Sequence, residues 1–152
     1  MTLKTFAHIL ILSSAALAAI PAWAESTGGA KDLFSGAWHM VSLEAGEVGG
    51  SLQSVEYSGQ IVFTDAGTMS VQAMNPDPNA PATPYTINGY EATYGRFVID
   101  EDESTFVFTV ESSLVRDLVG EDLKRVFEIS QDRLVLTPTN PQENWRVVYE
   151  RF

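Results

Sequence analysis

Beyond residue 36 the apolar and polar positions alternate along most of the chain, the period of two expected of strands that bury one face. Eight runs of strand length carry this pattern: 37–45, 57–64, 68–74, 90–99, 105–112, 123–129, 133–137 and 145–152. They are rich in Val, Ile, Phe, Tyr and Thr, and polar turns such as Asp65-Ala66-Gly67, 100–104 and Ser130-Gln131-Asp132 separate most of them. Connections this short join antiparallel neighbours. Strands in simple succession predict an all-β fold, a single up-and-down antiparallel barrel of about eight strands, because closure removes exposed edges.

Two connections are longer. Residues 75–88 contain Pro76, Pro78, Pro81 and Pro84, which cannot take part in a ladder, so the segment is expected as a loop that either caps one mouth of the barrel or is an inert spacer. Residues 113–122 place Leu114, Val115, Leu118 and Val119 at helical spacing ahead of Gly120, which predicts one short helix plugging a barrel end.

The N-terminus changes the picture of compartment. Lys4, an apolar run from Phe6 to Ile20, Pro21 and then Ala22-Trp23-Ala24 make the pattern of a signal peptide over 1–24. The apolar run is shorter than the roughly 20 residues that span a bilayer, so cleavage is expected rather than stable membrane insertion. Residues 25–32 are mostly small and polar and read as a flexible leader, with the folded domain over 33–152 and a periplasmic or secreted location.

The chain contains no cysteine, which excludes disulfides, thiolate chemistry and cysteine-based metal sites. Its formal net charge of −11 argues against nucleic acid and anionic lipid surfaces as partners.

Against this background Gly36-Ala37-Trp38 looks like the G-x-W signature that opens the first strand of lipocalins. The wider segments 36–44, 63–72, 90–97, 123–128 and 132–137 resemble, in order, strands of the bacterial and fungal lipocalin-like domain family. The resemblance implies a calycin-type barrel and binding of a small, largely apolar molecule, without a settled activity. Members often carry a histidine pair in the strand corresponding to 105–112, where this chain has Phe108 and Thr109, so a function resting on those imidazoles does not transfer.

Catalytic candidates are few. His39 is the histidine that remains after 1–24; the strand period turns it away from Trp38 and Met40, and so outward if the tryptophan is inward, as the resemblance implies. There is no nucleophile elbow, no metal-binding histidine set and no cofactor motif. The acidic run 100–103 is a hairpin turn rather than a calcium loop of known spacing.

With the tryptophan inward, as the resemblance implies, the same parity puts Met40, Ser42 and Glu44 inside. Arg125 shares a face with Phe127 and Ile129, and Tyr149 shares one with Trp145 and Val147. The expected ligand-binding set is Trp38, Met40, Glu44, Gln72, Tyr94, Arg125 and Tyr149. Gln72 is open to either face, and Glu44 and Arg125, inside the barrel or at its rim, are expected to pair with each other or with Gln72 and a tyrosine. An arginine of the last strand, Arg146 or Arg151, is the candidate to pack on Trp38, a closure familiar from lipocalins.

The leading function is binding of a small apolar ligand. The alternatives are a cofactor-free isomerase or cyclase using Glu44 or Glu111, and a filled barrel that meets a partner protein.

Overall fold

Closure of the meander is visible in the strand pairing of the computed structural model, which describes residues 29–152. The expected signal peptide and the start of the leader therefore lie outside the described residues. The strands are β1 (Gly36–Ala45), β2 (Gln53–Val55), β3 (Ser58–Phe63), β4 (Thr68–Met74), β5 (Tyr90–Asp100), β6 (Thr105–Ser113), β7 (Asp122–Ile129), β8 (Arg133–Pro138) and β9 (Trp145–Arg151). From β3 to β9 each strand pairs antiparallel with the next; β9 then pairs with β1 and β1 with β3, which closes an eight-stranded barrel.

Strand β2 is additional, running beside Leu43–Ala45 of β1. Alternation in the sequence does not reveal it, because Gln53 and Ser54 are both exposed and leave it no apolar face to read. The β2 and β3 segments follow the same edge of β1, interrupted at Glu56 and Tyr57.

The two barrel ends differ. At one end the connections are tight turns at 64–67, 101–104 and 130–132. Gly67 supplies the positive φ of 77° that the first of them needs. A short helix, α1 (Ala30–Phe34), lies under this end and begins within the stretch expected as leader. Its Phe34 is fully buried, with ring centroids 4.8 Å from Phe63, 5.0 Å from Phe127 and 5.8 Å from Phe106, all edge-on. Edge-to-face contact is the favoured aromatic geometry, so these rings fill the end as a packed plug.

Trp38 belongs to this plug. Its indole N–H donates to Phe34 O at 2.9 Å, and the Arg151 guanidinium lies 4.1 Å from its ring centroid. The same guanidinium donates to Leu33 O, Ser35 O and Gln131 O at 2.6, 2.8 and 2.8 Å. Of the two arginines considered, Arg151 is the one on the tryptophan. Gly36 makes this approach possible: a Cβ there would sit 2.9 Å from the Arg151 Nη1, and its φ of +124° is disfavoured for any L side chain. The G-x-W signature thus has a mechanical meaning, a glycine that leaves room for the arginine covering the tryptophan.

Register irregularities decide which side chains face inward further along. In β1, Met40 pairs with Tyr149 and Ser42 with Val148, so Val41 is an extra residue. One inserted residue reverses the alternation beyond it. Leu43 packs against the core instead of Ser42 or Glu44. In β6, Tyr94 of β5 faces Ser112 while Gly95 faces Val110, which leaves Glu111 as the extra residue.

The segment expected as a helix over 113–122 makes only a 3-10 turn at Arg116–Leu118. Leu118 packs against the core, whereas Leu114 and Val119 are exposed, so the helical spacing does not mark one buried face. Among the described residues no helix is long and apolar enough to cross a membrane.

Candidate functional site

The other end of the barrel is hollow. A cavity of about 550 Å³ runs inward from it, within the range of small-molecule sites. Met40, Val71, Phe108, Leu136 and Val147 are among the apolar residues of its wall. Phe106 lies between the plug and the cavity floor, since it touches Phe34's cluster and also lines the space above.

The proline-rich segment forms part of the rim rather than an inert spacer. Pro81, Pro84, Tyr85 and Thr86 line the cavity. The loop is held by its own polar groups: Asn75 Oδ1 accepts from Asp77 N at 2.9 Å, Asp77 Oδ1 from Asn79 N at 2.9 Å, and the Thr83 and Thr86 hydroxyls meet at 2.9 Å. Asx turns of this kind let a proline-rich segment keep one shape without ladder bonds. The connection between β8 and β9 brings Glu143 and Asn144 to the rim, where Glu143 meets Tyr85 of the proline-rich loop.

Between these loops sits a polar cluster. Arg125, buried on β7, donates to Tyr85 Oη at 2.9 Å and to Lys124 O at 3.0 Å, and faces Glu143 at 3.5 Å. Its guanidinium lies over two rings, 5.1 Å from the Trp145 centroid and 5.6 Å from that of Tyr85. The Tyr85 hydroxyl donates to Glu143 Oε2, which also accepts the Trp145 indole N–H at 2.8 Å.

Burial pushes the Tyr85 hydroxyl up to about 12, with the Glu143 hydrogen bond adding to it. Burial alone would raise Glu143 too, but the hydrogen bonds from Tyr85 and Trp145 and the charge of Arg125 outweigh it and hold the carboxyl below its usual range. Arg125 and Glu143 are therefore an internal ion pair, hydrogen-bonded on both sides.

Glu91, at the cavity end of β5, is the group that sequence reasoning missed. Its side chain is half-buried and lines the cavity, and desolvation pushes the carboxyl up to about 7 even though Arg125 pulls the other way. Tyr149, fully buried on β9, is pushed well above the ordinary phenol range by desolvation and then by the Glu91 charge. Among the described residues neither the Glu91 carboxyl nor the Tyr149 hydroxyl has a hydrogen-bond partner. The alternation Glu91, Thr93, Gly95, Phe97 was the available signal, since Thr93 and Phe97 are both inward.

Of the residues expected to bind ligand, Met40, Arg125 and Tyr149 line the cavity together. Trp38 does not, because it is sealed into the plug beneath Phe34 and Arg151. Glu44 points outward beyond the β1 bulge and pairs with Arg146 at 3.4 Å instead of Arg125. Gln72 is exposed and accepts a hydrogen bond from Gln60 at 2.8 Å on the outer surface, as its strand turns Val71 and Ala73 inward. Tyr94 is exposed for the same reason, lying between inward Thr93 and Gly95. The second carboxylate considered for catalysis, Glu111, pairs with Arg96 at the surface at 2.8 Å.

The Glu44 and Arg146 side chains are 39 % and 35 % exposed. Such a pair is expected to contribute less than about 1 kcal/mol. A double-mutant cycle with Glu44→Ala and Arg146→Ala, read by urea unfolding, checks this; a larger coupling would mean that the pair braces the bulge.

The family model of a lipocalin-like domain matches residues 35–149. No curated protein matches the chain.

Proposed function

The chain belongs to the lipocalin-like domain family, and from that premise we propose that it binds a small, largely apolar molecule inside the barrel. The observation that carries this reading is the cavity of about 550 Å³, open past the rim loops, closed below by the aromatic plug and walled mainly by apolar side chains. Polar groups set in an apolar wall are what fixes a guest's orientation in such sites. Here they are gathered on one side, in Arg125, Tyr85, Glu143 and Glu91.

The test is displacement of a neutral apolar fluorophore, N-phenyl-naphthylamine, by candidate guests. Ala45→Phe combined with Ala73→Phe places two rings in the cavity, since both alanines line it. The affinity for the fluorophore is expected to fall at least about tenfold, or about 1.4 kcal/mol. Undiminished affinity in the double variant would place the fluorophore outside the barrel and overturn the reading.

Export is part of the proposal. It rests on the signal-peptide pattern over 1–24, and is checked by the N-terminal residue of protein recovered outside the cytoplasm, expected to be Glu25.

A further inference from the structure

The charged groups of the cavity wall are unequal in what they leave free. Arg125 has Glu143 at 3.5 Å, and Tyr85 Oη and Lys124 O as acceptors at 2.9 and 3.0 Å, with the rings of Trp145 and Tyr85 against its guanidinium. A carboxylate guest at this arginine would meet the like charge of Glu143, which is itself fixed by Tyr85 and Trp145. The salt bridge of Arg125 goes to Glu143, which leaves Glu91 as the acid of the cavity without one among the described residues.

Arg125 from β7 and Tyr149 from β9 are close enough to Glu91 to share its field, and Tyr57, Tyr85 and Glu143 are the other titratable groups that line the same cavity. None of them hydrogen-bonds to its carboxyl among the described residues. An ionised carboxyl left without a partner in an apolar wall is unfavourable, and a guest that brings a positive N–H donor relieves it.

We propose that the guest is an amphiphile with a basic nitrogen, its ammonium paired with Glu91 and its apolar body along Met40, Val71, Phe108 and Val147. This rests on the reading of the barrel as a binding cavity. The Tyr149 hydroxyl, free of other partners, accepts a second ammonium N–H. The acidity of the whole chain, net −11, adds a field that draws cations towards the rim and repels anions.

The experiment compares three guests with one apolar body, decylamine, decanol and decanoate, as competitors of N-phenyl-naphthylamine at pH 8. The expected order for the wild-type protein is decylamine at least about tenfold tighter than decanol, with decanoate weakest. In Glu91→Gln the ratio of amine to alcohol affinity is expected to collapse towards one. The wild-type order is decisive by itself, so the proposal does not depend on the variant folding. Decanoate binding as well as decanol, amine binding no better than alcohol, or an amine preference that survives in Glu91→Gln would each overturn it. If the fluorophore and all three guests fail to bind, the cavity reading itself fails and the proposal with it.

Discussion

Glu91→Gln is expected to remove about 3 kcal/mol of pH dependence from the stability of the ligand-free protein. The Glu91 carboxyl is raised from 4.5 to about 7 by desolvation, and each pH unit of such a rise corresponds to about 1.4 kcal/mol. The folded state holds the Glu91 proton more tightly than the unfolded state, so the contribution is fully present below pH 4.5. It is lost as pH rises through 7, because the folded protein must then bury a charge that the unfolded chain hydrates. Glutamine keeps the shape of the side chain and does not ionise.

The measurement is urea unfolding of both proteins at pH 4.5 and pH 8. Other carboxylates titrate alike in the two proteins, so the double difference isolates Glu91. The wild-type protein should lose about 3 kcal/mol more than the variant between those values. Equal losses would mean that the Glu91 carboxyl is solvated through the open rim. Saturation with decylamine should restore part of the wild-type stability at pH 8, since a guest that binds only the folded state adds to it by mass action.

Arg151→Ala is expected to cost a comparable amount at the opposite end, about 3 kcal/mol or more. Its guanidinium donates to three backbone carbonyls, of Leu33, Ser35 and Gln131, and covers the Trp38 ring. Charge-assisted hydrogen bonds contribute more than neutral ones, and the carbonyls of Leu33 and Ser35 lie where α1 joins β1. Removing the arginine therefore loosens the helix that carries Phe34 as well as uncovering the indole.

Arg151→Lys should recover less than half of the loss, because one ammonium cannot reproduce the planar fork that reaches three acceptors and stacks on a ring. Urea unfolding reads both variants, and a loss below about 1 kcal/mol for the alanine would show that α1 and the plug stand without the arginine. Guest affinity of the folded Arg151→Ala protein should stay within about twofold of wild type, since the plug separates Arg151 from the cavity.

Much of the architecture was legible because the signals were local. Alternation placed the eight barrel strands, the prolines of 75–88 identified the long loop, and G-x-W placed Trp38 inside. Beyond Val41, however, parity counted from Trp38 gives the wrong answer. One inserted residue in β1 sends Glu44 out to Arg146 and brings Leu43 in. A bulge is a matter of pairing between β1 and β9, and no composition of β1 alone announces it.

The polar cluster was only half visible for a related reason. Arg125 and Tyr149 follow from strand parity, but Tyr85 comes from a loop and Glu143 from another, 58 residues apart in the chain. Glu91 lies one residue inside its strand, on the face opposite to the exposed Tyr94 that was expected in the cavity. Parity says which residues share a face; it does not say which face closes onto the core.

The amino-acid sequence by itself determined an all-β meander, its G-x-W opening and which residues share a strand face with Arg125 and with Tyr149, because periodicity and turn chemistry act between near neighbours. Only the tertiary structure decided that one end is plugged by Phe34, Trp38 and Arg151 while the other stays hollow, and that Arg125 is paired to Glu143 while Glu91 is left without a partner. Those outcomes depend on barrel closure, a register shift and the meeting of distant loops, and the energy of each lies in contacts that exist only after the chain has folded.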